Sequence, residues 1–159
     1  MRVIATFDEL TGLLREDGVV FQADAASERI EIPVSLGSRT TALHIDWHSQ
    51  GNLVQLVHPL PFQVPTERMS AVESAIVRLN HAIAVPGFGM NHASRFAYYR
   101  LVASRDAAGA LDADEVRRLC HVVASTARDY GHLLLAVALD GDNAEEALLQ
   151  AIAEPKHMS

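Results

Sequence analysis

Apolar side chains recur every three or four residues between Pro65 and Ile83. Met69, Val72, Ile76, Leu79 and Ile83 line one face of a helix, with Glu67, Arg68, Glu73 and Arg78 mostly opposite. Pro65 suits the first turn, where its missing N–H would have no partner. Pro86 and Gly87 end the segment and turn the chain. Residues 88–95 and 96–104 then read as the two strands of a hairpin, against whose sheet the helix stripe can be buried.

Upstream, Thr6-Phe7-Asp8-Glu9 is a capping-box pattern, followed by Phe7, Leu10, Leu13 and Leu14 as a short stripe that ends near Asp17-Gly18. Residues 19–23 can start a strand. From Arg29 the period changes to two: Ile30, Ile32 and Val34 alternate with polar neighbours up to the Leu36-Gly37-Ser38 turn. Residues 41–48 give the clearest strand, with Leu43, Ile45 and Trp47 on one side and His44, Asp46 and His48 on the other. After a Ser49-Gln50-Gly51-Asn52 turn, residues 53–58 form the return strand, so Val54 and Leu56 join the apolar face. Pro59, Pro61 and Pro65 are expected in a stiff connection, since proline cannot donate to a central ladder.

Downstream, Asp112 caps a helix with Glu115 in capping-box position. Val116, Leu119, Cys120, Val123, Ala127 and Tyr130 continue as its stripe. The helix either breaks at Gly131 or runs on through Leu139. A last short helix is expected over 144–153. The order is α-β-β-β-α-β-β-α, an α+β fold with an antiparallel sheet of about five strands packed against helices.

At 159 residues and 49% hydrophobic content, residues 1–154 are expected to form a single domain, with 155–159 a frayed tail. The net charge of −7 and the absence of any Lys/Arg run argue against nucleic acid as a partner. A lone Cys120 gives no disulfide. Asp8 and Glu9 interrupt the place of a leader's apolar core, and the longest apolar run, residues 133–139, is too short to cross a bilayer. A cytoplasmic protein without a membrane partner is expected.

His44, Asp46 and His48 project from one face of their strand and are competent ligands for a divalent metal; the same alternation also describes the solvent face of an amphipathic strand. Cys120 lies on an apolar helix stripe, which suits packing better than nucleophilic catalysis. Gly87-Phe88-Gly89 follows a helix and lacks a third glycine, so it is no phosphate loop. No catalytic or cofactor-binding constellation emerges. Residues 51–64 and 80–94 carry no formally charged side chain, as in core strands or in surface covered by another chain.

Leu79-Asn80, Gly87-Phe88-Gly89-Met90-Asn91 and Tyr98-Tyr99-Arg100 together resemble the YbjN family, whose members share the fold of CesT-like type III secretion chaperones. Asn91 departs from the pattern, which often has an acidic residue there. The resemblance spans residues 6–139. It implies a homodimer and a non-enzymatic, chaperone-like or regulatory protein that holds an extended segment of a protein client by apolar contact and strand addition. Val77, Phe88, Met90, Phe96, Tyr98 and Tyr99 are the expected partner-binding residues, on the middle helix and the hairpin after it. The alternative is a metal- or small-molecule-binding domain centred on His44, Asp46 and His48.

Overall fold

The computed structural model describes residues 1–153. The expected frayed tail, 155–159, lies outside them. The protein is α+β, with a six-stranded antiparallel sheet and four helices. Thr6 starts helix α1 (Phe7–Glu16) with a complete capping box: its hydroxyl accepts from the Glu9 N–H at 3.2 Å, and the Glu9 carboxylate accepts from Thr6 N–H at 3.1 Å. Strands β2 (Gln22–Asp24), β3 (Arg29–Leu36), β4 (Arg39–Asp46) and β5 (Leu53–Gln63) follow. Helix α2 (Met69–Ala82) comes next, then β6 (Phe88–Asn91) and β7 (Phe96–Ser104). Helices α3 (Ala113–Leu139) and α4 (Asp142–Ala153) close the described chain. The sheet order is β2-β3-β4-β5-β7-β6. Strands β1 (Val3–Ile4) and β8 (Leu111–Asp112) pair separately as a two-stranded ribbon at the root of α3.

One side of the sheet carries the helices. Val54, Leu56, Leu60 and Phe62 of β5 and Ala97 and Tyr99 of β7 are buried with Leu43, Ile45 and Trp47 under α3 and its neighbours. Val72, Ile76 and Leu79 of α2 are buried too, as the stripe required. Gly131 does not break α3, which runs 27 residues through it. A side chain there would place its Cβ 3.1 Å from Leu60, so the glycine lets helix and sheet approach closely at this point.

Two expectations need correction. Pro59 and Pro61 are not in a connection but inside β5, between β4 and β7. The ladder with β4 comprises only Asp46–Gln55, Ile45–Leu56 and His44–Val57 and stops before the first proline. The alternation that turns the Gln55 and Val57 backbone toward β4 turns the proline nitrogens the same way, where no acceptor waits. Side chains of β4 serve the proline carbonyls instead: Thr41 Oγ1 donates to Pro59 at 3.1 Å and Arg39 Nη1 to Pro61 at 3.3 Å. Second, Asp112 caps α3 through the Asp114 N–H at 2.8 Å, but Glu115 binds Arg118 rather than closing a capping box.

His58 faces the helices and is buried, its Nδ1 3.0 Å from the Pro59 carbonyl oxygen. Burial disfavours its charged form and lowers its pKa below the ordinary 6.5. The unfolded chain therefore binds the extra proton first, and stability falls as pH drops below about 6.5. Denaturant melts should show this loss between about pH 6.5 and 5, above the range where carboxylates titrate. His58→Leu should flatten it; parallel curves for both proteins would contradict the assignment. Ile76→Ala should cost about 2–5 kcal/mol in the same melts, as expected for a truncated core side chain.

Candidate protein-binding face

The other side of the sheet is open, and cross-strand register fixes what it presents. One row runs Asp24, Arg29, Asp46, Gln55, Val102; the next runs Gln22, Glu31, His44, Val57, Arg100. Pro59 and Tyr98 pair in a third row, and Gly89 follows Tyr98 on β6. The face is thus divided. Its β2–β3–β4 half is polar, whereas its β5–β7 half shows Leu53, Val57, Pro59, Phe96, Tyr98 and Val102 around Gln55 and Arg100. Leu53, Phe96 and Val102 are 37%, 38% and 52% exposed, so this stripe meets solvent. At one end it enters a shallow groove of about 470 Å³, where Leu53, Gln55 and Val102 face Glu28 and the residue 48–51 turn.

That turn is held from below. Arg105 is buried with its guanidinium 4.4 Å from the Trp47 ring centre, and it donates to the His48 carbonyl at 2.7 Å and the Gly109 carbonyl at 3.1 Å. The cation–π contact and the two bonds lock the β4–β5 connection onto the end of β7.

The polar half does not assemble the expected metal ligands. β4 ends at Asp46, and Trp47 N–H turns away to the Glu28 carbonyl, so His48 leaves the strand face for an exposed turn. Asp46 is committed to Arg29, 2.6 Å from its Nε. His44 Nδ1 lies 3.5 Å from Glu31. Among the described residues no group of three His, Cys, Asp or Glu side chains is placed to hold a metal ion.

The expected partner-binding residues separate into three places. Phe96 and Tyr98 lie on the open face. Phe88 and Tyr99 are core: their rings pack 4.9 Å apart, and the Tyr99 hydroxyl donates to the Val85 carbonyl at 2.8 Å. Met90 shares their side, half-buried. Val77 stands on the outer side of α2, 69% exposed but isolated, because α2 packs against α3, α4 and β6. Leu53, Val57, Pro59 and Val102 were not singled out individually. For the three on β5 the signal is the charge-free run 51–64, in which both sets of alternating positions are mostly apolar; Val102 lies outside that run.

The glycine motif has a steric reason. A Cβ on Gly87 would lie 2.5 Å from the Arg100 carbonyl oxygen, and one on Gly89 would meet the Tyr98 ring, which lies across it on the open face. Asn80 completes the motif. Its Oδ1 accepts from the Gly87 and Phe88 N–H groups at 3.1 and 3.0 Å, and its Nδ2 donates to the Phe88 carbonyl at 2.8 Å. Both outward backbone groups of Phe88 are therefore taken, which leaves Met90 as the β6 residue able to pair with an added strand.

Cys120 is half-buried, and burial pushes its thiol pKa up to about 11. It should react slowly with a thiol reagent in the native protein and rapidly in denaturant; fast native labelling would overturn the packing role.

The comparisons with known proteins agree with this architecture. A search of curated proteins finds no match. Among solved structures, the crystal structure of YbjN from E. coli superposes with a TM-score of 0.62 at 9% identity, covering 82% of this chain and 95% of that one. The family model YbjN, described as "Putative bacterial sensory transduction regulator", matches residues 6–136. With most of its length matched and the same fold, this chain belongs to the YbjN family.

Proposed function

We propose that the protein is a non-enzymatic regulatory module that holds a protein partner on the open face of its sheet. The observation that carries this is the exposed apolar stripe across β5 and β7, which continues into the groove at Leu53 and Val102. Apolar surface collected on one face and rimmed by charge is what partner sites present. The description of the family as sensory transduction regulators fits a module that acts by contact. The E. coli relative is titled "a putative transcription regulator". For this chain a protein partner suits the surface better than DNA, given its net charge of −7 and the many arginines already paired with carboxylates.

The partner contact is a face contact more than strand addition, because Asn80 occupies the outer edge of β6. An extended client segment lying across the stripe is one occupant. A second copy is another, since two open faces related by a twofold axis would bury the same stripe twice. The expected seam along α2 is the weaker candidate, with Val77 its one exposed large apolar side chain.

A photo-crosslinking residue at Val102 should trap a discrete protein species in cells, either a client or a second copy, whereas one at Val77 should trap none. Val102→Asp should abolish the association without loss of helical content. Trapping at Val77 alone, or at neither position, would refute the open face as the site. Light scattering over a dilution series identifies the self-paired case by a dimer mass at high micromolar concentration.

A further inference from the structure

A second opening lies on the opposite side of the molecule's design, where β4 leaves β5. Past Val57 the two strands diverge, and the tip of the β3–β4 hairpin overhangs the C-terminal half of α3. The resulting groove has a volume of about 230 Å³. Leu36, Phe62 and Leu135 form its walls, and Gly131 keeps its floor low. Its charged side chains are of one sign: Arg39 and Arg128 line it beside Ser38 and His132, and no carboxylate does.

In an acidic chain this is unusual placement. Most described arginines meet a carboxylate, as in Arg29 with Asp46 or Arg117 with Asp17. Arg39 meets none; it donates to the Pro61 carbonyl at 3.3 Å. Arg128 reaches only sideways, to the neighbouring Asp129 at 3.3 Å. The His132 ring lies 3.5 Å from the Arg128 carbonyl, on the next turn of the same helix side.

We propose that this groove binds a small carboxylate with an apolar body, an aryl or branched alkyl acid, with its charge held between Arg39 and Arg128 and its body against Leu36, Phe62 and Leu135. An apolar wall selects the body, and a guanidinium pair selects a planar anion by two-pronged hydrogen bonding. The volume, below the roughly 300–1,000 Å³ usual for drug-sized ligands, limits the occupant to a compact molecule. The two ends of the grip belong to different elements, the β3–β4 hairpin and α3, so the bound acid bridges them. The proposal does not depend on the open face and stands if that face binds nothing.

The test is a titration of the isotope-labelled full chain with 3-phenylpropionate, with uncharged 3-phenylpropionamide as the control. Amide-resonance shifts should saturate and centre on Arg39, Phe62 and Leu135, and the amide should bind about tenfold more weakly or worse. Arg39→Gln combined with Arg128→Gln should weaken the acid by a similar factor while leaving the spectrum otherwise native. Leu135→Trp should fill the groove and abolish binding. No saturation by about 10 mM, equal affinity for acid and amide, or shifts centred on Leu53 and Val102 would each overturn the proposal.

Discussion

The absence of two N–H groups shapes most of this molecule. β5 is the strand that α3 packs against and that β7 pairs with along its length, yet it contains Pro59 and Pro61. Both imino nitrogens point toward β4, so the β4–β5 ladder has to end at Val57. From there β4 follows its own course, hydrogen-bonded to β5 through the Thr41 and Arg39 side chains. On the β7 side the register also slips between Pro59 and Gln63, which bends the strand toward the start of α2. A sheet that begins with strands in full register thus ends forked, with a groove in the fork.

Buried and half-buried polar groups serve this frame. Arg105 on Trp47 ties the β4–β5 turn to the loop after β7, and Arg68 donates twice to the Val137 carbonyl near the end of α3 and reaches Asp142 of α4. His58 is kept neutral in the core. On the proposed reading, function falls to surfaces: an apolar stripe on one side of the sheet and an arginine-lined groove at its open fork. A regulator that works by being occupied needs no more than that, because its free energy of response comes from differences in binding between states.

Much of the fold was legible in the residues. The 3.6-residue stripe of α2, the alternation in β4 and the Thr6 cap each satisfy one local rule, and local rules can be read from a single chain. What stayed hidden depended on partners distant in sequence. Proline in a central strand is forbidden only if the adjacent strand stays in register, and nothing near Pro59 says that β4 departs. Phe88 and Tyr99 looked like contact residues because aromatic strands suit surfaces and cores alike; the side they face is set by the Gly87–Arg100 approach. His48 leaves its strand where Trp47 bonds to Glu28, nineteen residues upstream and on another strand's lead-in. The open face itself is half visible, as a run without charge: on β5 the core-strand reading holds for one set of alternate residues, and the other set lies on the open face.

The Asn80 side chain has a consequence for assembly. An amide that occupies the outward N–H and C=O of Phe88 works as a molecular stop at the end of the sheet. Sheets that stack edge to edge propagate, since each added copy presents the same edge again. Faces that meet about a twofold axis consume the surface that made them and cannot continue. With Asn80 blocking β6 at Phe88, growth through that edge is disfavoured, and on the proposed reading the open face would favour closed, finite complexes.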